Sequence, residues 1–315
     1  MAINYRKCAI IGCGYVGAAS AFSIMQSGLF SEIVLIDYNK DKAIGEALDI
    51  SHGLPFSKPA KIYAGDYKDL ADAYVIIITA GRGQAPGETR LDLTKKNVAV
   101  FKSIIPQIVE YNKEAILLVV ANPVDVLTYV AAKLSGYPEN RVFGSGTVLD
   151  TARFKYLLGE HLRVDPRSVH SVIIGEHGDS EIAVWSSANV SGIPIHQFYE
   201  MRGFFNHDAE MKKISDNVKN SAYEIIEKKG ATYYGIAMSV KRICEAIVRD
   251  EKSILPVSSC QHVFGIEGVS LSMPAIVGKD GIEGYTPISL DDKEKAELIK
   301  SAETLKKVIE DCEIC

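Results

Sequence analysis

Along the first half of the chain, short runs of apolar and β-branched residues alternate with longer stretches whose apolar positions recur at helical spacing. The runs are Cys8 to Ile11, Ile33 to Ile36, Tyr74 to Thr79, Ala115 to Val120 and Arg141 to Phe143. Near-continuous apolar runs suit strands covered on both faces, and helical connections suit parallel strands, so the pattern predicts a doubly wound parallel α/β sheet. The alternation stops at Phe143-Gly144-Ser145-Gly146, where two glycines loosen the chain. We therefore expect one domain over residues 1–144 and a mixed α+β domain over residues 145–315. The second half offers an apolar strand, Val169 to Ile174, and a helix with Met211, Ile214, Val218 and Ile225 on one face, stopped at Gly230. Strands near Ile254 to Phe264 and Val269 to Val277 follow. A last helix, Lys293 to Ile309, carries Leu298, Ala302, Leu305 and Ile309 as a core-facing stripe.

Composition narrows the class of protein. With 47% hydrophobic and 24% charged residues the chain has the make-up of an ordinary folded protein. A net charge of -5 without a dense Lys/Arg block excludes a nucleic-acid footprint, which needs concentrated positive charge. Tyr74 to Ala80 and Ala115 to Ala121 fall far short of the roughly 20 apolar residues of a membrane span. The start, Met-Ala-Ile-Asn-Tyr-Arg-Lys, lacks the apolar segment of a secretory signal, so a cytoplasmic location is expected. Of the six cysteines only Cys312 and Cys315 form a C-x-x-C pair. With no second pair to complete a tetrahedral site, no metal is expected, and the pair reads as a loose tail.

The first strand leads directly into Gly12-Cys13-Gly14-Tyr15-Val16-Gly17. At a strand-to-helix turn, a G-x-G-x-x-G supplies a tight turn at Gly12, close backbone approach at Gly14 and close helix packing at Gly17. The helix start then presents N–H groups and partial positive charge to a pyrophosphate. Asp37 follows the second strand, 20 residues after Gly17, where a carboxylate can accept hydrogen bonds from a ribose and would repel a 2′-phosphate. The first half is thus read as a Rossmann-type domain that binds NAD rather than NADP.

Three further segments carry chemistry. Ala80 to Leu93 follows a strand at its C-terminal end, where open α/β sheets bind ligands, and its glycines suit a closing loop bearing Gln84 and Arg90. Asp150 and Arg153 share a helix face, so they are either a plain ion pair or a base-orienting carboxylate beside a carboxylate-binding guanidinium. His177 stands in the glycine-flanked turn Gly175-Glu176-His177-Gly178-Asp179.

The segments Gly12 to Gly17, Gln84 to Arg90, Ala121-Asn122-Pro123-Val124-Asp125, Leu149 to Arg153 and Gly175 to Ser180 occur in the order and spacing of the lactate/malate dehydrogenase family, which the chain resembles over essentially its whole length. The resemblance implies that His177 is the acid/base, Asp150 its orienting partner, Arg153 the clamp on the substrate carboxylate and Arg90 the loop residue that polarises the carbonyl. Asn122 would donate to the substrate oxygen and Thr232 would line the far wall. Cofactor contacts are implied at Gly12, Gly14, Val16, Gly17, Asp37, Lys42, Tyr67, Ser103, Val120 and Asn122. At the position of Gln84, relatives acting on a second carboxylate carry arginine and those acting on pyruvate carry glutamine. An amide leaves the extra charge of oxaloacetate unpaired, so reversible NADH-dependent reduction of pyruvate to L-lactate is the implied reaction.

Bulkier L-2-hydroxy acids, which only pocket shape would reject, stay open, as does malate if the loop register shifts. A non-catalytic NAD-binding protein is the reading from another class, and the full set of chemical residues argues against it. The resemblance also implies a homotetramer activated by fructose 1,6-bisphosphate, bound by a histidine and an arginine. His170 matches the histidine, but Lys155 stands where the arginine would be and lacks its planar fork.

Overall fold

The computed structural model describes residues 2–83, 87–205, 207–262 and 264–312. The first half runs β1 (Asn4–Ile11), α1 (Tyr15–Ser27), β2 (Glu32–Ile36), α2 (Lys40–His52), β3 (Lys61–Ala64), β4 (Ala73–Ile78), α3 (Arg90–Tyr111), β5 (Ile116–Val119), α4 (Val124–Ser135) and β6 (Val142–Gly144). The second continues with α5 (Val148–Leu162), β7 (Val169–His170), β8 (Ile173–Ile174), β9 (Ile182–Ala183), β10 (Asn189–Val190), β11 (Ile193–Pro194), α6 (Ile195–Met201), α7 (His207–Lys229) and α8 (Tyr234–Val248). It ends in β12 (Ser253–Cys260), β13 (Ser270–Gly278), β14 (Gly281–Tyr285) and α9 (Asp292–Asp311).

Among the described residues, nine strands form one sheet in the order β14-β13-β12-β6-β5-β4-β1-β2-β3. From β3 to β6 the pairing is parallel, giving the Rossmann order with its switch point between β1 and β4. The strands of the second half join antiparallel, through Ser258 of β12 opposite Gly144 of β6. Alternate residues of the central strands fill opposite cores, as a pleat requires. Ile11, Ile76 and Val119 pack with Phe101, Val130 and Leu305 of α3, α4 and α9. Ile10, Ile77 and Leu118 pack with Ile24, Ala47 and Ile243 of α1, α2 and α8. A third core, including Phe154, Leu158, Tyr199 and Val218, joins α5, α6 and α7 to the short strands.

The expected fold class is present, with three local differences. Strand β3 escapes the hydrophobic pattern because it is a half-exposed sheet edge, Lys-Ile-Tyr-Ala, without an all-apolar run. The single strand expected over Val169 to Ile174 is two short ones: β7 pairs with β10 and β8 with β9, and the chain changes sheets between them. Cys312 is no loose tail, since it closes α9 and is buried in the core beside Leu305 and Ile309. Cys315 lies outside the described residues.

Candidate active site

The turn after β1 is built from contacts that only glycine permits. Gly12 sits at φ 102°, and a Cβ there would lie 2.5 Å from the Ala80 nitrogen. A Cβ at Gly17 would lie 1.9 Å from the Gly12 carbonyl oxygen, so α1 starts directly against the turn. At Gly14, the N-cap of α1, a Cβ would meet nothing within 4 Å. That open side of the helix N-terminus suits a diphosphate, whose charge the helix end favours.

Asp37 is held at the end of β2 by two main-chain donors: Cys13 N–H reaches Oδ2 at 2.6 Å and Asn39 N–H reaches Oδ1 at 2.9 Å. Each oxygen keeps a lone pair for a ribose hydroxyl. The cleft in front has a volume of about 1090 Å³ and is lined by Gly12, Gly14, Asp37, Lys42, Tyr67 and Ser103 of the expected contacts, together with Thr79 to Arg82 and part of α3. Val16, Gly17, Val120 and Asn122 are not among its described lining residues. The Cys13 thiol inside the motif is buried, which pushes its pKa up to about 12 and leaves it inert.

A second cluster gathers around Asp150, in the first turn of α5. This carboxylate is 2% exposed and uses both oxygens: Oδ2 pairs with His177 Nδ1 at 2.5 Å and Oδ1 accepts from Arg153 Nη1 at 2.9 Å. The ion pair and the base-orienting contact therefore exist together. Burial disfavours the Asp150 charge, but His177 and Arg153 outweigh it and hold the carboxyl below its usual range. For His177, burial likewise opposes the charged form, and the Asp150 carboxylate overturns this, with help from Asp125 and Glu181, raising the ring to about 9. The imidazolium is the stable form at neutral pH, with Nδ1 on Asp150 and Nε2 left to work.

Arg90, at the start of α3, reaches the same loop. Its Nη1 pairs with Asp179 Oδ2 at 2.8 Å and it also donates to the Tyr223 hydroxyl, which donates to Asp179 Oδ1 at 3.0 Å. Thr232 lies in the turn between α7 and α8, whose Tyr233 stacks on Tyr15 at 5.3 Å, beside the glycine turn. Gln84 lies outside the described residues. Sequence reasoning missed Asn97 on α3, fully buried, which accepts from Arg82 N–H at 2.7 Å and donates to the Asn122 carbonyl at 2.7 Å. It also gave no role to Asp125, Ser258 or Asp179, whose partners lie far away in the chain, or to Glu181, whose burial beside His177 and Asp150 is set by the fold. Among the described residues no group of His, Cys, Asp and Glu could hold a metal, and no helix is long and apolar enough to cross a membrane.

Residues 6–144 match the NAD binding domain of lactate/malate dehydrogenases, and residues 147–314 match the alpha/beta C-terminal domain of the same family. An L-lactate dehydrogenase of Acetivibrio thermocellus is 54% identical over 310 residues, covering 98% of each chain. One from Thermoanaerobacterium saccharolyticum is 54% identical over 309 residues, with 98% of this chain and 99% of that one covered. The crystal structure of a ligand-bound minor L-lactate dehydrogenase from Enterococcus mundtii superposes with a TM-score of 0.93 at 42% identity, covering 97% of this chain and 98% of that one.

Proposed function

The chain belongs to the lactate/malate dehydrogenase family, and on that premise we propose that it interconverts pyruvate and L-lactate, with NAD(H) bound in the cleft as hydride donor and acceptor. The observation that carries the reading is the shared carboxylate: Asp150 holds a ring that can give a proton and, alongside, a guanidinium that can take a carboxylate. The cleft fits the dinucleotide, with open space at Gly14 for a diphosphate and Asp37 preset for a ribose.

In the reducing direction His177 gives its Nε2 proton to the ketone oxygen, and Asp150 keeps the ring aligned and charged until it does so. The remaining N–H groups of Arg153 form the bidentate fork for the substrate carboxylate. Arg90 polarises the carbonyl on leaving Asp179 and Tyr223, and Asn122 and Thr232 complete the substrate wall. Gln84 favours the monocarboxylate over oxaloacetate, because an amide cannot pair a second charge. The working division is residues 1–144 for NAD and 145–315 for the substrate.

The protein is further proposed to be a cytoplasmic homotetramer. Exposed apolar side chains on three neighbouring helices support a second copy as their cover: Tyr15 and Phe22 on α1, Ile44 and Leu48 on α2, Tyr234 and Met238 on α8. Lys155 on α5 and His170 on β7 supply two nitrogen donors on adjoining elements for fructose 1,6-bisphosphate, and burial lowers the lysine pKa.

Turnover followed by NADH absorbance across pyruvate, oxaloacetate and 2-oxoisocaproate, with and without fructose 1,6-bisphosphate, tests the substrate and effector readings. Pyruvate is expected to lead by about 10²-fold in kcat/KM, and equal use of oxaloacetate overturns the substrate reading. Gln84→Arg is expected to move preference towards oxaloacetate; an unchanged ratio removes Gln84 from the substrate site.

A further inference from the structure

The backbone of the His177 loop is fastened by a carboxylate that the reaction as described does not use. Asp125, in the first turn of α4, is 2% exposed. Its Oδ2 accepts from the His177 main-chain N–H at 2.7 Å and its Oδ1 accepts from the Ser258 hydroxyl at 2.6 Å. Ser258 is itself fully buried on β12, opposite Gly144. A Cβ at Gly144 would lie 2.8 Å from Val124 and 3.3 Å from Ser258, so glycine there is what lets α4 and β12 close on this carboxylate. One carboxylate thus grips the histidine ring from α5 and a second grips its main chain from α4.

We propose that Asp125 is a positioning residue for proton transfer, which fixes the His177 main chain and, through its buried negative charge, helps the ring keep its proton. Burial pushes the Asp125 carboxyl up to about 6 against the pull of the Ser258 and His177 hydrogen bonds, so it is ionised in the neutral range. The other charged or titratable groups around the ring are Asp150 and Arg153 on α5, Glu176 and Glu181 on the same loop, and Lys219 on α7, whose Nζ donates to the Asp179 carbonyl at 3.3 Å. Asp125→Asn keeps an acceptor for the His177 N–H, reverses the hydrogen bond to the Ser258 hydroxyl and removes the charge.

The inference rests on His177 being the acid/base. Asp125→Asn is expected to lower the alkaline pKa of kcat/KM for pyruvate reduction by about one unit. Asp125→Ala, which also frees the loop, is expected to lower kcat about 10²-fold at an unchanged KM for NADH. In the wild-type protein labelled with ¹⁵N-histidine, the His177 amide resonance is expected to titrate near pH 6, as its acceptor takes up a proton. An Asp125→Asn profile superimposable on wild type, or an amide signal flat from pH 5 to 8, overturns the proposal. His177→Asn separates the two levels: if that variant turns over normally the acid/base reading itself fails, and if it is inactive while the Asp125→Asn profile is unmoved only the present inference fails.

Discussion

At the glycine turn of the cofactor cleft, what would meet a diphosphate is main chain and open space from one short stretch of sequence, Gly12–Gly17, tied to the end of β2 by the hydrogen bond from Cys13 N–H to the Asp37 carboxylate. Around His177 the groups are side chains, delivered by Asp125, Asp150, Arg153, Glu181 and Ser258 from four separate segments, and four of those five residues are charged or ionisable. The turn is shaped by where side chains are missing, and steric exclusion does not change with pH. The cluster is shaped by buried charges that hold one another, so its state depends on every member and on proton concentration. A binding surface for a constant ligand can be rigid and neutral, whereas a group that must gain and lose a proton in each cycle needs a field tuned around it.

The largest separation of the two regions is expected from His177→Asn. Removing the proton donor is predicted to lower kcat about 10²- to 10⁴-fold. NADH affinity, measured by fluorescence titration, should stay within about twofold, since the histidine is not part of the cleft lining. Equal loss of binding and turnover would show that the regions are not separable.

Gly12→Ala is the converse break. The new methyl would meet the Ala80 backbone in a conformation at φ 102° that L side chains rarely adopt. A loss of about 2 kcal/mol or more in stability is expected, with NADH binding weakened along with it. The Asp150–His177 pair should persist, so the alkaline limb of residual activity should keep its position. A stable variant with normal NADH affinity would remove the steric account of the turn.

These two breaks also mark what could be read from the chain. The glycine turn and Asp37 were legible because their mechanics are local: strand, turn, helix and acid follow in sequence. The central strands were legible because burial on both faces leaves an all-apolar run, while β3 at the exposed edge leaves none. Asp150 and Arg153 were legible as neighbours on a helix, and the structure adds that Asp150 serves His177 at the same time. Asp125 stood in a recognised segment without a role, because its partners lie 52 and 133 residues away. No periodicity encodes such a meeting, which depends on β12 joining the sheet beside β6.

The contrast sharpens with pH. The His177 ring is held at about 9 in the fold, above its ordinary 6.5. The raised pKa means that the charged ring adds stability below about 6.5, and that this is lost as pH rises through 9. In activity, pyruvate reduction needs the imidazolium, so kcat/KM is expected to be level at neutral pH and to fall about tenfold per unit beyond 9. Lactate oxidation needs the neutral ring and should rise over the same range. NADH affinity should vary little there, and a binding curve that tracks the kinetic limb would tie the cleft to the same ionisation.

The smallest effect concerns Glu181, which tests whether the charge cluster costs stability that the cleft does not. It is 5% exposed, and among the described residues its Oε1 has no hydrogen-bond partner. Burial, reinforced by the Asp150 charge, pushes its pKa up to about 8, against the pull of His177, Lys219 and Arg153. The unfolded chain releases this proton near 4.5, so between 4.5 and 8 the folded state holds a proton that the unfolded state does not. Stability therefore falls as pH rises across that window. Glu181→Gln copies the neutral carboxyl and cannot ionise, so it is expected to gain on the order of 1 kcal/mol relative to wild type on moving from pH 5 to pH 8. Urea unfolding at the two pH values, at one fixed protein concentration, measures it, and Ser103→Ala in the cleft should show no such difference. A Glu181→Gln penalty that grows towards pH 8 would mean that the carboxylate is ionised and paired in the fold, and that the cluster around His177 carries one more negative charge than its hydrogen bonds account for.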